Sequence, residues 1–178
     1  MTTFIALLRG INVGGNRMLA MPKLRELCAE AGLAEVRSYV NSGNLVFTAK
    51  GKAERQEEVI EAAIEAHYGF KVDVIVRSAK DWAGYATGNP FPEASEQHPH
   101  LVNLLVPKQP LGNDVIAALR SKASGEERVE KVGEVLWIYY ARGAARSKIG
   151  VVPGRIPVTA RNWRTVLKLQ EMATAAAG

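Results

Sequence analysis

The chain has 178 residues, of which 47% are hydrophobic and 23% charged, values that are ordinary for a soluble globular protein. No apolar run approaches the roughly 18–20 residues that span a bilayer, and the N-terminus lacks the pattern of a signal peptide, so we expect neither a membrane protein nor a secreted one. The single cysteine excludes an internal disulfide and favours a cytoplasmic location.

The first part of the chain predicts an alternation of strands and helices. Helical spacing of apolar residues predicts a helix that opens at Pro22, and a segment rich in Glu and Ala predicts a second helix over 53–68. Apolar or alternating runs predict strands at 3–9, 35–40, 44–49 and 71–77. The resulting order, β-α-β-β-α-β, is that of a ferredoxin-like lobe, to which we assign residues 1–78.

A helix and a connector are predicted next, over residues 79–100. Ser78 and Asp81 form a capping box for a short helix through Tyr85. The segment 88–100 that follows is rich in proline and marks the boundary between two lobes.

The remaining residues, 101–178, predict a second α+β lobe that ends in a basic helix. The order is β-α-β-β-α, with strands at 101–106, 127–132 and 134–141 and helices at 113–123 and 161–176. Because the strand 134–141 is apolar on both faces, it should be central. The predicted fold class is α+β, with two ferredoxin-like lobes of which the second is incomplete because it has no closing strand.

A glycine-rich loop, residues 9–16, lies between the first strand and the first helix. At least one of Gly10, Gly14 and Gly15 should have a positive φ, a conformation that Cβ disfavours. Such a loop can point backbone N–H groups at an anion. It is not a nucleotide-binding P-loop, because Asn16 and Arg17 stand where Lys and Ser or Thr are required.

The ferredoxin-like order predicts that this loop meets the turn at 41–44. Since the first and third strands are antiparallel neighbours, the end of one lies beside the start of the other. Arginine, amide and hydroxyl groups there would suit a phosphate or a carboxylate, although Asn and Gly are also ordinary turn residues. The candidate anion-binding residues are Arg9, Asn12, Gly14, Gly15, Asn16, Asn41, Ser42 and Asn44.

A second candidate region is the basic C-terminal segment. Residues 135–178 carry seven Lys and Arg but a single acid, Glu171. Within the predicted last helix, Arg161, Thr165 and Lys168 are spaced to form one stripe. This imbalance predicts nucleic acid or a phosphorylated small molecule as a partner, or else a solvated basic face.

Catalytic and metal-binding patterns are weak, and we predict no cofactor and no metal. His98 and His100 could offer two metal ligands, but no third follows at a convincing spacing. Cys28 falls on the buried face of its helix, so it is interpreted as core. The glutamates of the second helix are interpreted as a solvated face.

Four sequence blocks resemble a known family. They are Leu-Leu-Arg-Gly-Ile-Asn-Val-Gly-Gly at 7–15, Tyr-Val-Asn-Ser-Gly-Asn-Leu-Val-Phe at 39–47, Asn-Pro-Phe at 89–91 and Thr-Ala-Arg-Asn-Trp-Arg-Thr-Val-Leu-Lys-Leu at 159–169. Together they resemble the bacterial family called domain of unknown function 1697. The resemblance implies a small α+β protein but supplies no activity, catalytic residue or ligand.

Three functions therefore stay open at this point. The first is anion binding, to nucleic acid or a nucleotide phosphate, through the 9–16 loop and the 161–168 stripe. The second is an enzyme that acts on a phosphorylated small molecule and uses Arg9, Arg161 and Lys168 to stabilise charge. The third is a protein-interaction module without chemistry.

Overall fold

The computed structural model describes residues 1–177, which form two compact units. Unit 1 comprises residues 1–83 together with the chain from Leu169 onward, and unit 2 comprises residues 84–168. Among the described residues, no helix combines the length and the apolar character needed to cross a membrane.

Unit 1 contains a four-stranded antiparallel sheet with two long helices on one face. In chain order its elements are β1 (Thr2–Leu8), α1 (Met21–Glu30), β2 (Ala34–Tyr39), β3 (Asn44–Ala49), α2 (Ala53–Tyr68), β4 (Val74–Ser78) and the start of α3 (Ala79–Thr87). The strand order is β2-β3-β1-β4, so the first and third strands are the two central ones. Alternate residues of these strands, including Phe4 and Phe47, pack with Leu24 and Ile60 of the helices in one core.

The outer edge of β4 is covered by carboxylates of α2. The backbone N–H of Val76 donates to Glu57 Oε1 at 2.9 Å, and that of Val74 donates to Glu61 Oε1 at 2.9 Å. Glu57 is buried, so the prediction of a solvated glutamate face is wrong for this residue. Capping the edge N–H groups leaves fewer of them free to pair with another chain.

Unit 2 contains a second four-stranded antiparallel sheet. Its elements are the end of α3, then α4 (Pro92–Gln97), β5 (Val102–Pro107), α5 (Asn113–Lys122), β6 (Arg128–Val132), β7 (Val135–Tyr139), a 3₁₀ turn (Ala144–Arg146), β8 (Val158–Asn162) and the first part of α6 (Trp163–Ala177). The strand order is β6-β7-β5-β8, which matches that of the first sheet. As predicted from its apolar faces, β7 is an interior strand with Leu136, Trp137 and Ile138 buried.

The α+β class and the ferredoxin-like pairing of strands are confirmed, but unit 2 is incomplete in a different way from the one predicted. The closing strand is present as β8, which pairs with β5 from Asn103–Asn162 to Pro107–Val158. Within residues 140–157 there is no crossover helix, only the 3₁₀ turn. The strand was missed because it runs into α6 without a loop, where helical spacing dominates the sequence pattern.

Candidate functional site

The glycine-rich loop forms a small β-hairpin, defined here as the 12–17 hairpin. The backbone N–H of Asn12 donates to Arg17 O at 3.2 Å, and that of Asn16 donates to Val13 O at 3.1 Å. Gly14 and Gly15 occupy the turn with φ of 59° and 76°, which is the backbone of a type I′ turn. Gly10 also has a positive φ, so the prediction about the three glycines is confirmed.

Asn12 holds the hairpin to its surroundings through three hydrogen bonds. Its Oδ1 accepts from the Leu19 N–H at 2.7 Å, and its Nδ2 donates to Leu19 O at 3.0 Å and to Asn41 O at 2.7 Å. The amide thus closes the loop on itself and ties it to the 41–44 turn. These contacts give Asn12 a structural role whether or not a ligand is present.

The 41–44 turn lies beside the hairpin, as the strand order predicted. Leu7 pairs with Asn44 across β1 and β3, and the Leu8 N–H donates to Gly43 O at 2.8 Å. Asn44 is fully buried, and its Nδ2 donates to Tyr39 O and Ser42 Oγ at 2.9 and 3.0 Å. The structure therefore brings the two segments together but uses their amides largely for internal bonds.

Arg9 also has a partner within unit 1. Its Nη1 lies 3.3 Å from Asp73 Oδ2, both side chains are 43% exposed, and the Arg9 N–H donates to Asp73 O. Arg9 is therefore accessible to solvent, but the charge of Asp73 partly neutralises its guanidinium group. Gly14, Gly15 and Asn16 are exposed at the tip of the hairpin.

A cavity of about 500 Å³ opens next to the hairpin. Its polar lining includes Asn12 and Asn41, whose groups already bond to each other, and its other walls are largely apolar. The cavity is lined by Asn12, Met18, Leu19, Ala20, Asn41 and Tyr68.

Arg161 does not belong to the last helix, so the predicted stripe of Arg161, Thr165 and Lys168 is wrong. Arg161 lies in β8, is 8% exposed, and donates from Nη1 to Thr159 Oγ1 at 2.7 Å and to Ala160 O at 2.8 Å. Burial lowers the pKa of Arg161 to about 10, and the group remains cationic at neutral pH. A buried arginine bonded within its own strand is not available to a macromolecular anion.

The beginning of α6 is set by an N-cap asparagine, which the helical spacing of the apolar residues does not indicate. Asn162 Oδ1 accepts from the Thr165 N–H at 3.0 Å, which is an N-cap bond and places the helix start at Trp163. Thr165 and Lys168 are partly buried on this helix. The N-cap asparagine three residues before Thr165 was the available signal.

Of the five exposed cations of the basic C-terminal segment, Arg164 lies on α6 and the other four lie in residues 142–155, defined here as the basic loop. Arg142, Arg146, Lys148 and Arg155 are all exposed, whereas Ile149 is fully buried in the core of unit 2. The buried isoleucine therefore anchors a loop whose charged side chains face solvent.

Glu127 is a second anchor of the basic loop, and sequence reasoning missed it. Its carboxylate accepts from the Ser124 N–H at 3.0 Å and also bonds the Ser147 hydroxyl. Burial raises the pKa of Glu127, but these hydrogen bonds and the charge of Arg142 outweigh it, so the net shift is downward. The long separation between Glu127 and Ser147 in sequence left no local signal.

Cys28 is buried in the core of unit 1, as predicted. Burial raises its thiol pKa to about 12, so the thiolate is not populated at neutral pH. This environment is that of a packed side chain and not of a nucleophile.

These features define an α+β protein built from two four-stranded antiparallel sheets, each with its own helices. The chain belongs to the family described as "Protein of unknown function (DUF1697)", whose family model matches residues 1–137. This confirms the family that the four sequence blocks resemble.

A solved structure shows the same fold over nearly the whole chain. It is that of the conserved bacterial protein SP0830 from Streptococcus pneumoniae, which is 26% identical, with a TM-score of 0.76 over 97% of this chain and 98% of that one. No curated protein matches the sequence.

Proposed function

We propose that this protein binds a polyanion, and in particular nucleic acid, through the basic loop. The observation that carries the proposal is a set of exposed cations on an anchored loop, in a stretch without acids from Val135 to Gln170. A surface of one charge sign raises the local concentration of oppositely charged partners. The contact differs from the stripe expected from sequence, because Arg161 is buried.

Three cations of the loop are the proposed phosphate contacts. Arg142 lies close enough to Glu127 to influence its pKa, so part of its charge is balanced within the protein. Arg146, Lys148 and Arg155 form no ion pair within the described residues 1–177. These three therefore reach a ligand without first breaking an internal pair.

The hairpin of unit 1 is a weaker candidate for this contact. The side-chain amides of Asn12 and Asn44 already form hydrogen bonds within unit 1, and Arg9 forms an ion pair with Asp73. A phosphate would have to compete with these bonds, whereas Arg146, Lys148 and Arg155 of the basic loop are exposed and form no ion pair within residues 1–177.

Salt dependence gives a quantitative test. If the three cations each contact one phosphate, the log–log slope of affinity against salt is about −0.9 × 3, or roughly −2.7, for duplex DNA, and about −0.7 × 3, or roughly −2.1, for a single strand. Short duplex and single-stranded DNA and RNA would be titrated by fluorescence anisotropy over a series of salt concentrations.

Two variants that lose the same charge distinguish binding at the basic loop from binding that depends only on the net charge of the protein. Replacing Arg146, Lys148 and Arg155 with Gln should bring the slope close to zero, since each phosphate contact contributes about one unit. The control replaces Lys80, Lys122 and Lys131, three exposed lysines outside the loop, and removes the same charge. Equal losses in the two variants would show that net charge alone drives the binding. Absence of binding by the wild type at low salt would refute the proposal.

A further inference from the structure

Unit 2 contains a cavity of about 560 Å³ that the proposed polyanion contact does not use. Its walls come from α3, α4 and the start of α6, and they are mainly apolar, with Pro92, Pro99, Trp163 and Leu167 among them. Leu167 is 47% exposed, so its apolar side chain is accessible to a ligand in the cavity. A cavity of this volume is within the range that takes small molecules.

The walls of this cavity are fixed by internal contacts. Asn89 Nδ2 donates to Ser95 Oγ at 2.7 Å, its Oδ1 accepts from the Phe91 N–H at 2.9 Å, and Ser95 is buried. The ring of Trp163 packs edge to face on the fully buried Trp137, with 5.7 Å between ring centroids. A ligand would therefore enter a site that is already formed, which lowers the entropic cost of binding.

Two opposite charges also line the cavity, and they do not pair with each other. Glu96 and Arg164 are both exposed, and neither forms a hydrogen bond or an ion pair within residues 1–177. Their charged groups are thus separated by more than ion-pairing distance, with apolar wall around them. A ligand with one opposite charge at each end would satisfy both groups.

We propose that this cavity binds a zwitterionic molecule with an apolar body, of about the size of a dipeptide. Arg164 receives the carboxylate, Glu96 receives the ammonium group, and Trp163 and Leu167 contact the apolar side chains. A polyphosphate fits less well, because Glu96 would repel a second negative charge. Free apolar amino acids and short peptides share this chemistry.

The two charge contacts can be tested separately with one ligand series. The probes are the dipeptide Phe-Leu, its N-acetyl derivative, which lacks the ammonium group, and its C-terminal amide, which lacks the carboxylate. Binding is followed by NMR through the indole N–H signal of Trp163, with the buried Trp82 as an internal reference. Each cap should weaken binding about fivefold, the upper range for an exposed ion pair.

Variants assign each end of the ligand to its residue. In Arg164→Gln, amidation should no longer weaken binding, while acetylation still does; Glu96→Gln should show the reverse. Glu93→Gln, on the same short helix but outside the cavity lining, is the control and should leave all three affinities unchanged. All three side chains are exposed, so the fold should tolerate each change.

Two results would overturn the proposal: no shift of the Trp163 signal with millimolar Phe-Leu, or equal affinity for all three probes in the wild type. Equal affinities would show a merely apolar site. The Arg146, Lys148 and Arg155 variant should bind Phe-Leu normally, so failure of the nucleic-acid proposal and failure of this one are distinguishable.

Discussion

The 12–17 hairpin of unit 1 and the basic loop of unit 2 both carry residues of the kind that bind anions, yet they use them differently. In the hairpin, Asn12 bonds to Leu19 and Asn41, so its polar groups hold the backbone in place. In the basic loop, an apolar residue, Ile149, and an acid, Glu127, provide the anchoring, and the cations stay exposed.

Residue type alone therefore does not distinguish a side chain that contacts a ligand from one that holds the fold together. An amide is both donor and acceptor and can close a loop by itself, whereas a guanidinium or ammonium group has no acceptor. A cationic side chain without a nearby acid or carbonyl therefore stays available to a ligand. We therefore expect changes in the hairpin and in the adjoining 41–44 turn to alter stability, and changes to the cations of the basic loop to alter binding.

The largest effect is expected in the 41–44 turn, which lies beside the hairpin. Gly43 has a φ of 81°, and a Cβ there would lie 2.7 Å from Leu8 Cβ and from Ile11 Cδ1. Gly43→Ala should reduce the free energy of unfolding by about 3–4 kcal/mol, from overpacking together with left-handed strain. Urea denaturation followed by circular dichroism measures the loss.

Gly15→Ala is the matched control for that change. Gly15 has a similar φ of 76°, but nothing lies within 4 Å of the position its Cβ would take. Gly15→Ala should reduce the free energy of unfolding by only about 1 kcal/mol, the cost of placing an alanine in a left-handed backbone conformation. Equal losses at the two positions would mean that the contact with Leu8 and Ile11 is not tight.

The next effect concerns the amide of Asn12. Asn12→Ala removes three hydrogen bonds and should reduce the free energy of unfolding by about 2–3 kcal/mol. Asn16→Ala, in the same hairpin but exposed, should change it by less than about 0.5 kcal/mol. If Asn12→Ala instead abolished DNA binding without loss of stability, the hairpin would be the ligand site and the comparison would be reversed.

The smallest effect concerns the acid that anchors the basic loop. Because the pKa of Glu127 is lowered in the folded state, its charged form contributes stability above the unfolded pKa, and that contribution is lost as the pH falls through the folded pKa. Glu127→Gln should therefore cost about 1 kcal/mol at pH 7, the difference between a hydrogen bond to a charged acceptor and one to a neutral acceptor.

The same variant has an internal control in its pH dependence. Well below the folded pKa, wild type and Glu127→Gln should be equally stable, because both carry a neutral side chain. Urea titrations at neutral and acidic pH measure the difference. A difference that persists at acidic pH would mean that Glu127 acts through packing and not through its charge.

Most of the strands and helices could be predicted from local pattern, because their apolar spacing and their end signals are close together in sequence. The helix α2 begins and ends as predicted, with Gly69 in a left-handed cap. Two elements were missed. Residues 92–97 of the predicted connector form the helix α4, and β8 is a short strand of mixed composition whose conformation depends on its pairing with β5. Propensity is a weak guide when the partner strand decides the conformation.

The candidate sites divide in the same way. The positive-φ glycines, the meeting of the hairpin with the 41–44 turn and the stretch without acids could all be predicted from the amino-acid sequence, since they depend on backbone chemistry, strand order and composition. The burial of Arg161, the exposure of Arg146 and the placement of Glu96 and Arg164 on one cavity became known from the folded structure. The physical reason is that exposure and pairing depend on which distant segments pack around a side chain, and local sequence does not carry that information.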